Sequence, residues 1–293
     1  MCMLMRILVI DRSLHTHIRS ARANLCRSRY AVPPTVVTTQ SYGKLMCMSE
    51  PVVAVIVGAG LGVRYGGPVS KPALKLTGRA LMAMSVEAMA AGGCTHAVVV
   101  VNEKVARELG PELSAMPIPV VQAFGGASRQ ASAHNGLRAV RSDPEMSAAN
   151  VVLIHDAVRP MVPASVVHSV IKAVQEGADA VAPALAVTDS MRMVQDEDNS
   201  PVNRDRLRAV QTPQGFPMEV IWEAHERMAS TAEPFTDDVS CAELAGHAVT
   251  LVPGSRLSMK ITEPTDMTVA EALWKVRSAL GHHSGRRLRR RLP

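Results

Sequence analysis

The chain alternates between short apolar runs and longer stretches in which apolar residues recur every three or four positions. Runs at 52–57, 97–101, 119–123, 151–154 and 180–184 have the length and Val/Ala content of buried strands. Stretches near 80–91, 129–141 and 163–176 carry helical spacing between some of them. This order predicts an α/β fold, a Rossmann-like, mostly parallel sheet with helices on both faces. Ligands of such sheets sit at the carboxyl ends of the strands, so chemistry is sought just after each apolar run. Residues 187–207 break the alternation. They are polar and rich in Asp, Arg and Asn, too long for a plain connection. The strand pattern resumes at 207–211, helices are expected near 217–229, 236–246 and 264–279, and 258–262 reads as the end of a last strand-like run.

Composition narrows the class. With 293 residues, 47% of them hydrophobic, the chain can bury a large core, which aliphatic residues and Met must fill because aromatics are only 3%. No apolar run approaches the roughly 18 residues of a membrane span. The sequence pI near 9.3 suggests a polyanion partner, but its distribution does not. Residues 1–50 hold seven Lys and Arg against two acids, and 286–291 hold five Arg. The body between carries 20 Lys and Arg against 24 acids. The basicity belongs to the ends, and with few aromatic platforms for stacked bases no specific nucleic-acid partner is expected. The five cysteines are odd in number and form no CxxC pair, which favours a reducing, cytoplasmic setting. Cys94 and Cys241 are expected to be buried packing residues. Residues 1–50 are expected to be a disordered extension, either a reading frame opened upstream of Met48 or an acid-poor targeting segment. Residues 51–280 are expected to form one domain, and 281–293 a disordered basic tail.

Several segments after the predicted strands carry chemistry. The first strand runs into Gly58-Ala59-Gly60-Leu61-Gly62-Val63-Arg64, small residues that let backbone N–H groups approach phosphate oxygens. Arg64 and Lys71 add two cations. Val63 stands where a dinucleotide fingerprint needs Gly, and the Gly-Lys-Ser/Thr of a Walker A loop is absent. The third strand leads to Gly125-Gly126-Ala127-Ser128-Arg129 and Ser132, either a helix N-terminus facing a ligand or a turn with a Ser cap. The fourth leads to His155-Asp156-Ala157-Val158-Arg159-Pro160. Asp156 could hold a metal or ribose hydroxyls, or simply pair with Arg159, whereas His155 is expected to pack or hydrogen-bond. Farther on stand Thr188-Asp189-Ser190, Arg204, Arg208 to Phe216 with Thr212, Thr236-Asp237-Asp238, and Lys260-Ile261-Thr262.

In this order the segments resemble the cytidylyltransferase family, most closely its branch acting on 2-C-methyl-D-erythritol 4-phosphate, over about 51–275. The resemblance implies cytidylyl transfer from CTP to a small sugar-alcohol phosphate, with Mg²⁺ or another divalent cation held mainly by the CTP phosphates. It implies Arg64, Lys71, Arg204 and Lys260 as catalytic residues. It places Ala59, Gly60, Gly62, Gly126, Ser132, Asp156 and Ala157 at CTP, and Asp156, Arg159, Ser190, Arg204, Thr212 and Lys260 at the acceptor. It also reads 187–207 as a β-arm that embraces a second subunit, giving a homodimer in which Arg159, Ser190 and Arg204 reach the partner's nucleotide. The chain departs from the family pattern at Gly58, Pro72, Val158, Ser190 and Ala127, where an acid is common; Ala127 bears most on the choice of CTP over UTP. Two other readings stay open: transfer to ribitol 5-phosphate or another polyol phosphate, and a catalytically weak nucleotide-binding protein.

Overall fold

A computed structural model describes residues 50–60, 69–196, 198–229 and 235–287, all within the unit Met48–Pro293. The expectations for 1–49, for Gly62 and Arg64 within 61–68, and for 288–293 lie outside the described residues.

The elements follow the sequence pattern. In chain order they are β1 (Val52–Val57), β2 (Lys75–Leu76), β3 (Arg79–Ala80), α1 (Leu81–Ala91), β4 (His96–Val101), α2 (Glu103–Leu113) and β5 (Val120–Phe124). Then come α3 (Arg129–Ser142), β6 (Val151–Asp156), α4 (Ala164–Gln175), β7 (Ala180–Ala186), β8 (Met191–Gln195), β9 (Asp198–Val202), β10 (Arg208–Val210) and β11 (Gln214–Pro217). The last are α5 (Met218–Ala229), α6 (Asp238–Leu244), β12 (Val249–Pro253) and α7 (Pro264–Arg287).

The main sheet runs β5–β4–β1–β6–β11–β7. β1 lies between β4 and β6, parallel to both, and β5 extends the parallel half. β11 enters antiparallel between β6 and β7, β10 continues along β7, and β12 pairs with β7 in parallel. Period-two alternation in β1 feeds two cores. Ala54 and Ile56 pack toward Val86 and Met89 of α1, Leu109 of α2 and Val167 of α4. Val53 and Val55 pack toward Leu137 of α3 and Ile221 of α5. Full burial of both faces explains why β1, β4 and β6 read as continuous apolar runs.

Several elements differ from the sequence reading. Helix α2 escaped it because Gly110 and Pro111 obscure Val105, Leu109 and Leu113, which are spaced by four and form its buried face. β12 is a short edge strand whose Leu251 is exposed, so its apolar content is ambiguous. Residues 258–262 are not a strand. Ser258 closes a 3₁₀ turn capped by Ser255, and the N–H groups of Ile261 and Thr262 bond the Val158 carbonyl and the Asp266 carboxylate. With its donors taken by a loop and a side chain, the segment has no ladder to join. α7 also runs past 280 to Arg287, and no Pro lies between Pro264 and Pro293 to remove a backbone donor.

The 187–207 excursion contains a hairpin, β8 against β9, and both strands pair only with each other among the described residues. Its apolar side chains Met191, Met193 and Val194 are exposed.

Helix α3 sits unusually close to the sheet at Gly136, where an added Cβ would lie 2.3 Å from Val55 Cγ1 and 2.8 Å from Val100 Cγ2. Gly136→Ala is therefore expected to lower stability by about 1–3 kcal/mol through overpacking. A thermal melt checks this, and an unchanged midpoint would show that α3 shifts freely on the sheet.

Candidate active site

The carboxyl ends of four adjacent parallel strands open onto one cleft of about 690 Å³. Its wall comprises Val57–Gly60 after β1, Asn102 after β4, Gly125–Arg129 and Ser132 after β5, and Asp156 and Val158 at β6. Lys71, Pro72 and Lys260 complete it.

Close backbone approach shapes the first two walls. A Cβ on Gly125 would fall 2.1 Å from Ala59 Cβ, so only glycine lets the β5 loop meet the β1 loop. Asn102 fastens the same corner. Its Oδ1 accepts the Val105 N–H at the start of α2, and its Nδ2 donates to the Ala59 carbonyl at 3.1 Å. Ser128 caps α3 by accepting the Ala131 N–H at 3.0 Å. Ser132 Oγ donates to the Ser128 carbonyl at 2.8 Å and accepts the Gly126 N–H at 3.1 Å, which fixes the glycine pair over the helix start. The segment is therefore a Ser-capped turn, and it also lines the cleft.

Asp156 is the electrostatic centre. Its Oδ2 lies 2.9 Å from Lys260 Nζ and 3.6 Å from Arg159 Nε, and its Oδ1 lies 3.4 Å from Arg129 Nε. Burial alone would raise its pKa, but Arg129, Lys260 and Arg159 outweigh that and hold the carboxyl well below the usual range. The Asp156 N–H donates to Thr212 Oγ1 at 3.1 Å, which leaves the Thr212 hydroxyl to donate to His155 Nδ1 at 3.0 Å. His155 is then the tautomer that carries its proton on Nε2, where it donates to the Arg159 carbonyl at 3.2 Å. Burial pushes His155 down to about 4, so it stays neutral. It is a structural hydrogen-bonding residue.

Lys71 reaches the other side of the cleft, its Nζ donating to the Thr262 carbonyl at 2.9 Å. Thr262 is two residues from Lys260, so one short segment touches both lysines.

Of the residues singled out in the sequence, Ala59, Gly60, Lys71, Gly126, Ser132, Asp156 and Lys260 come together in the cleft. Ala157 is fully buried beneath it, its N–H on the Val57 carbonyl and its carbonyl on Ser85 Oγ. Thr212 uses its hydroxyl within the protein, as described. Arg159 turns inward, donating to the Ser258 carbonyl at 2.7 Å beside Asp156, and realises the Asp–Arg pairing that the sequence left open. Ser190 and Arg204 are exposed at the base of the hairpin, where Arg204 donates to the Thr188 carbonyl. Neither lines the cleft. Cys94 and Cys241 are buried, and burial pushes both thiols up to about 12, which removes them as nucleophiles near neutrality.

Two participants were not assigned from sequence. Asn102 belongs to none of the segments singled out in the sequence. Arg129 stands within the Gly125–Ser132 segment, where the sequence reading assigned it no role. The structure sets Arg129 between two carboxylates, 3.4 Å from Asp156 and 2.7 Å from Oδ2 of the fully buried Asp238. Asp238 also faces His225 Nε2 at 3.3 Å. Burial would raise Asp238, but Arg129 and His225 hold it below the usual carboxylate range.

A glycine-shaped cleft at the carboxyl ends of parallel strands, lined by two lysines and a buried ionised carboxylate, suits a phosphate-bearing ligand and agrees with the nucleotidyltransferase class. Comparison with known proteins makes the class specific. Residues 52–276 match the family model described as IspD, 2-C-methyl-D-erythritol 4-phosphate cytidylyltransferase. A protein of that name from Streptomyces avermitilis is 40% identical over 233 residues, covering 75% of this chain and 90% of that protein. One from Saccharopolyspora erythraea is 38% identical over 226 residues, covering 76% and 98%. The crystal structure of the Thermus thermophilus protein of the same name superposes with a TM-score of 0.60 at 30% identity, covering 75% of this chain and 98% of that one. The chain belongs to the 2-C-methyl-D-erythritol 4-phosphate cytidylyltransferase family.

The Arg129–Asp238 pair gives two expected outcomes. Arg129→Ala strands a buried carboxylate and is expected to destabilise the fold by about 3–5 kcal/mol in denaturant titration. Because the Asp238 pKa is depressed, its contribution to stability is present above the unfolded value of about 3.9 and is lost as pH falls through it toward the folded value. Wild-type stability is therefore expected to drop more steeply below about pH 4 than that of Asp238→Asn. Parallel acid-unfolding curves would contradict the ionised assignment.

Proposed function

We propose that this protein transfers the cytidylyl group of CTP to 2-C-methyl-D-erythritol 4-phosphate and releases pyrophosphate, a step in isoprenoid precursor synthesis by the methylerythritol phosphate route. The observation that carries the reading is the convergence of Lys71, Lys260 and Asp156 on one glycine-walled cleft in a chain of this family.

The chemistry fits the groups present. A phosphate monoester has its second pKa near about 6, so the acceptor oxygen is already ionised at neutral pH and needs no general base. It attacks the α-phosphorus of CTP, an O–P bond forms, and the bond to the β-phosphate oxygen breaks. Pyrophosphate carries away the bonding pair. The barrier is the approach of one anion to another, and cations lower it. Lys260 can share one of its three N–H donors with Asp156 and offer the others to phosphate oxygens. Lys71 lines the same cleft and adds positive charge, and Arg64 is the further cation that the family resemblance implies for this step. The β1 and β5 loops offer a narrow slot for the base and ribose, formed by Ala59, Gly60, Gly126 and Ser132. Asp156 faces the ribose and acceptor hydroxyls.

The residues present fit a divalent cation such as Mg²⁺ that is held mainly by substrate phosphates. Among the described residues no group of three or more His, Cys, Asp or Glu side chains is placed to hold a metal. Asp156 is the one carboxylate on the cleft wall. Magnesium bound through one carboxylate and substrate phosphates matches that donor set, and when bound it would neutralise charge on the phosphates.

The exposed hairpin β8–β9, with Met191, Met193 and Val194 turned to solvent, supports a homodimer in which Ser190 and Arg204 complete the partner's acceptor site. Arg159 is the weakest member of that set, since its guanidinium already serves Asp156 and Ser258 in its own subunit. No helix of the described residues is long and apolar enough to cross a membrane. A cytoplasmic location accords with that and with the cysteine pattern.

The test is pyrophosphate release with CTP, Mg²⁺ and methylerythritol phosphate, beside ribitol 5-phosphate and no-acceptor controls. Release with methylerythritol phosphate alone is expected. Release with ribitol phosphate alone would move the acceptor assignment, and CTP binding without release would support a non-catalytic protein. Lys71→Ala and Lys260→Ala are each expected to lower kcat/KM by about 10²-fold or more, far more than they change folding as read by a thermal melt. Near-normal turnover in either variant would remove that lysine from the mechanism.

A further inference from the structure

Two of the cations just assigned come from segments about 190 residues apart in the chain, and neither sits on a rigid strand. Lys71 opens a 3₁₀ turn, and Lys260 lies in the irregular stretch before α7. Their mutual placement therefore depends on what fixes the 260–263 backbone. One anchor is hydrophobic: Ile261 is fully buried with Leu76, Leu81, Met161 and Ala270, and its N–H bonds the Val158 carbonyl at 2.9 Å. The other anchor is a single carboxylate oxygen. Asp266 Oδ2 accepts from the Thr262 N–H at 2.7 Å, from Thr262 Oγ1 at 2.6 Å and from the Glu263 N–H at 3.0 Å. The carbonyl of that same Thr262 receives Lys71 Nζ.

We propose that Asp266, in the first turn of α7, is a positioning residue for cytidylyl transfer: by holding Thr262 it aims the Thr262 carbonyl at Lys71 and sets the direction in which Lys260 enters the cleft. The inference rests on the assignment of these lysines to the CTP phosphates. An ordinary helix cap would need only the Glu263 bond, because a third-position acid of a capping box reaches back to the N-cap N–H. Asp266 goes one residue farther, to both the backbone and the hydroxyl of Thr262, and these two bonds fix the lysine segment. Lys71 also lies close enough to help keep the Asp266 carboxyl ionised, after the bonds from Thr262 and Glu263. The arrangement thus closes a loop: Asp266 holds Thr262, Thr262 holds Lys71, and Lys71 in turn favours the charged form of Asp266.

Asp266→Ala is expected to lower kcat/KM for pyrophosphate release by roughly tenfold or more, because small displacements of positioned groups carry rate costs of that order. Asp266→Glu separates positioning from capping. Glutamate is a favoured capping-box acid, so the melting temperature should hold, but its oxygen is displaced by one methylene, so kcat/KM should still fall. Thr265→Ala is the control; it removes a first-turn bond to Glu263 and no bond of the 260–262 segment. It is expected to keep wild-type kinetics. If Asp266→Ala and Asp266→Glu both turn over like Thr265→Ala while Lys71→Ala and Lys260→Ala are impaired, Asp266 is only a helix cap and the proposal fails alone. If the lysine variants are themselves unimpaired, the assignment beneath it has failed and the proposal falls with it.

Discussion

One buried carboxylate governs the arrangement of this protein. Asp156 ends a central strand and faces Arg129, Arg159 and Lys260, which arrive from three different parts of the chain. A carboxylate with so little contact with water is unfavourable as an anion unless cations answer it. The fold supplies three, and together they overcome the burial penalty and keep Asp156 charged. The consequence runs both ways. The anion gathers cations at the mouth of the cleft, and their ordering fixes the loops that carry them. A triphosphate would meet positive charge that is already arranged, and this is how preorganised sites lower barriers.

The balance of charge around this centre is not simple pairing. Arg129 is shared between Asp156 at the cleft and Asp238 beneath it, and the shorter contact is to Asp238. Its guanidinium therefore cannot collapse fully onto Asp156. Arg159 is similarly divided between Asp156 and the Ser258 carbonyl. Lys260, the most exposed of the three cations, makes the shortest contact with Asp156 and is the one best placed to serve two partners. The two arginines are structural counterions with second anchors inside the protein, and the lysine is the one at the solvent edge.

Much of this was legible in the residues. The strands that flank the cleft are continuous Val-rich runs, because burial on both faces leaves no room for polar alternation. Their loops are marked by glycine and by short polar clusters, so Gly58–Gly60, Gly125–Ser132 and Asp156 could be placed at strand ends before any coordinates. What stayed hidden has physical reasons. Arg129 and Asp238 are ordinary helix-start residues by pattern, and only the packing of α3 against α5 and α6 brings them within 2.7 Å. Thr212 carries the right chemistry for a ligand contact, but its hydroxyl also accepts the Asp156 N–H and donates to His155 Nδ1, an engagement that pattern alone does not reveal. Sequence cannot show which polar groups are already satisfied. The 258–262 segment has the apolar content of a strand end, but side-chain and loop acceptors take its N–H groups first.

That last misreading bears on how the site works. Had residues 258–262 been a strand in the sheet, Lys260 would have inherited a fixed direction from the ladder, with its neighbours on alternate faces. Instead the segment is held by one buried side chain, Ile261, and by hydrogen bonds to Val158 and Asp266. Such a segment can place Lys260 at the cleft and, two residues on, turn a backbone carbonyl toward Lys71, two directions that strand geometry could not set independently. The parallel sheet supplies the glycine-lined wall of the cleft. The irregular stretch before α7 sets Lys260 against Asp156 at that cleft and presents the Thr262 carbonyl to Lys71.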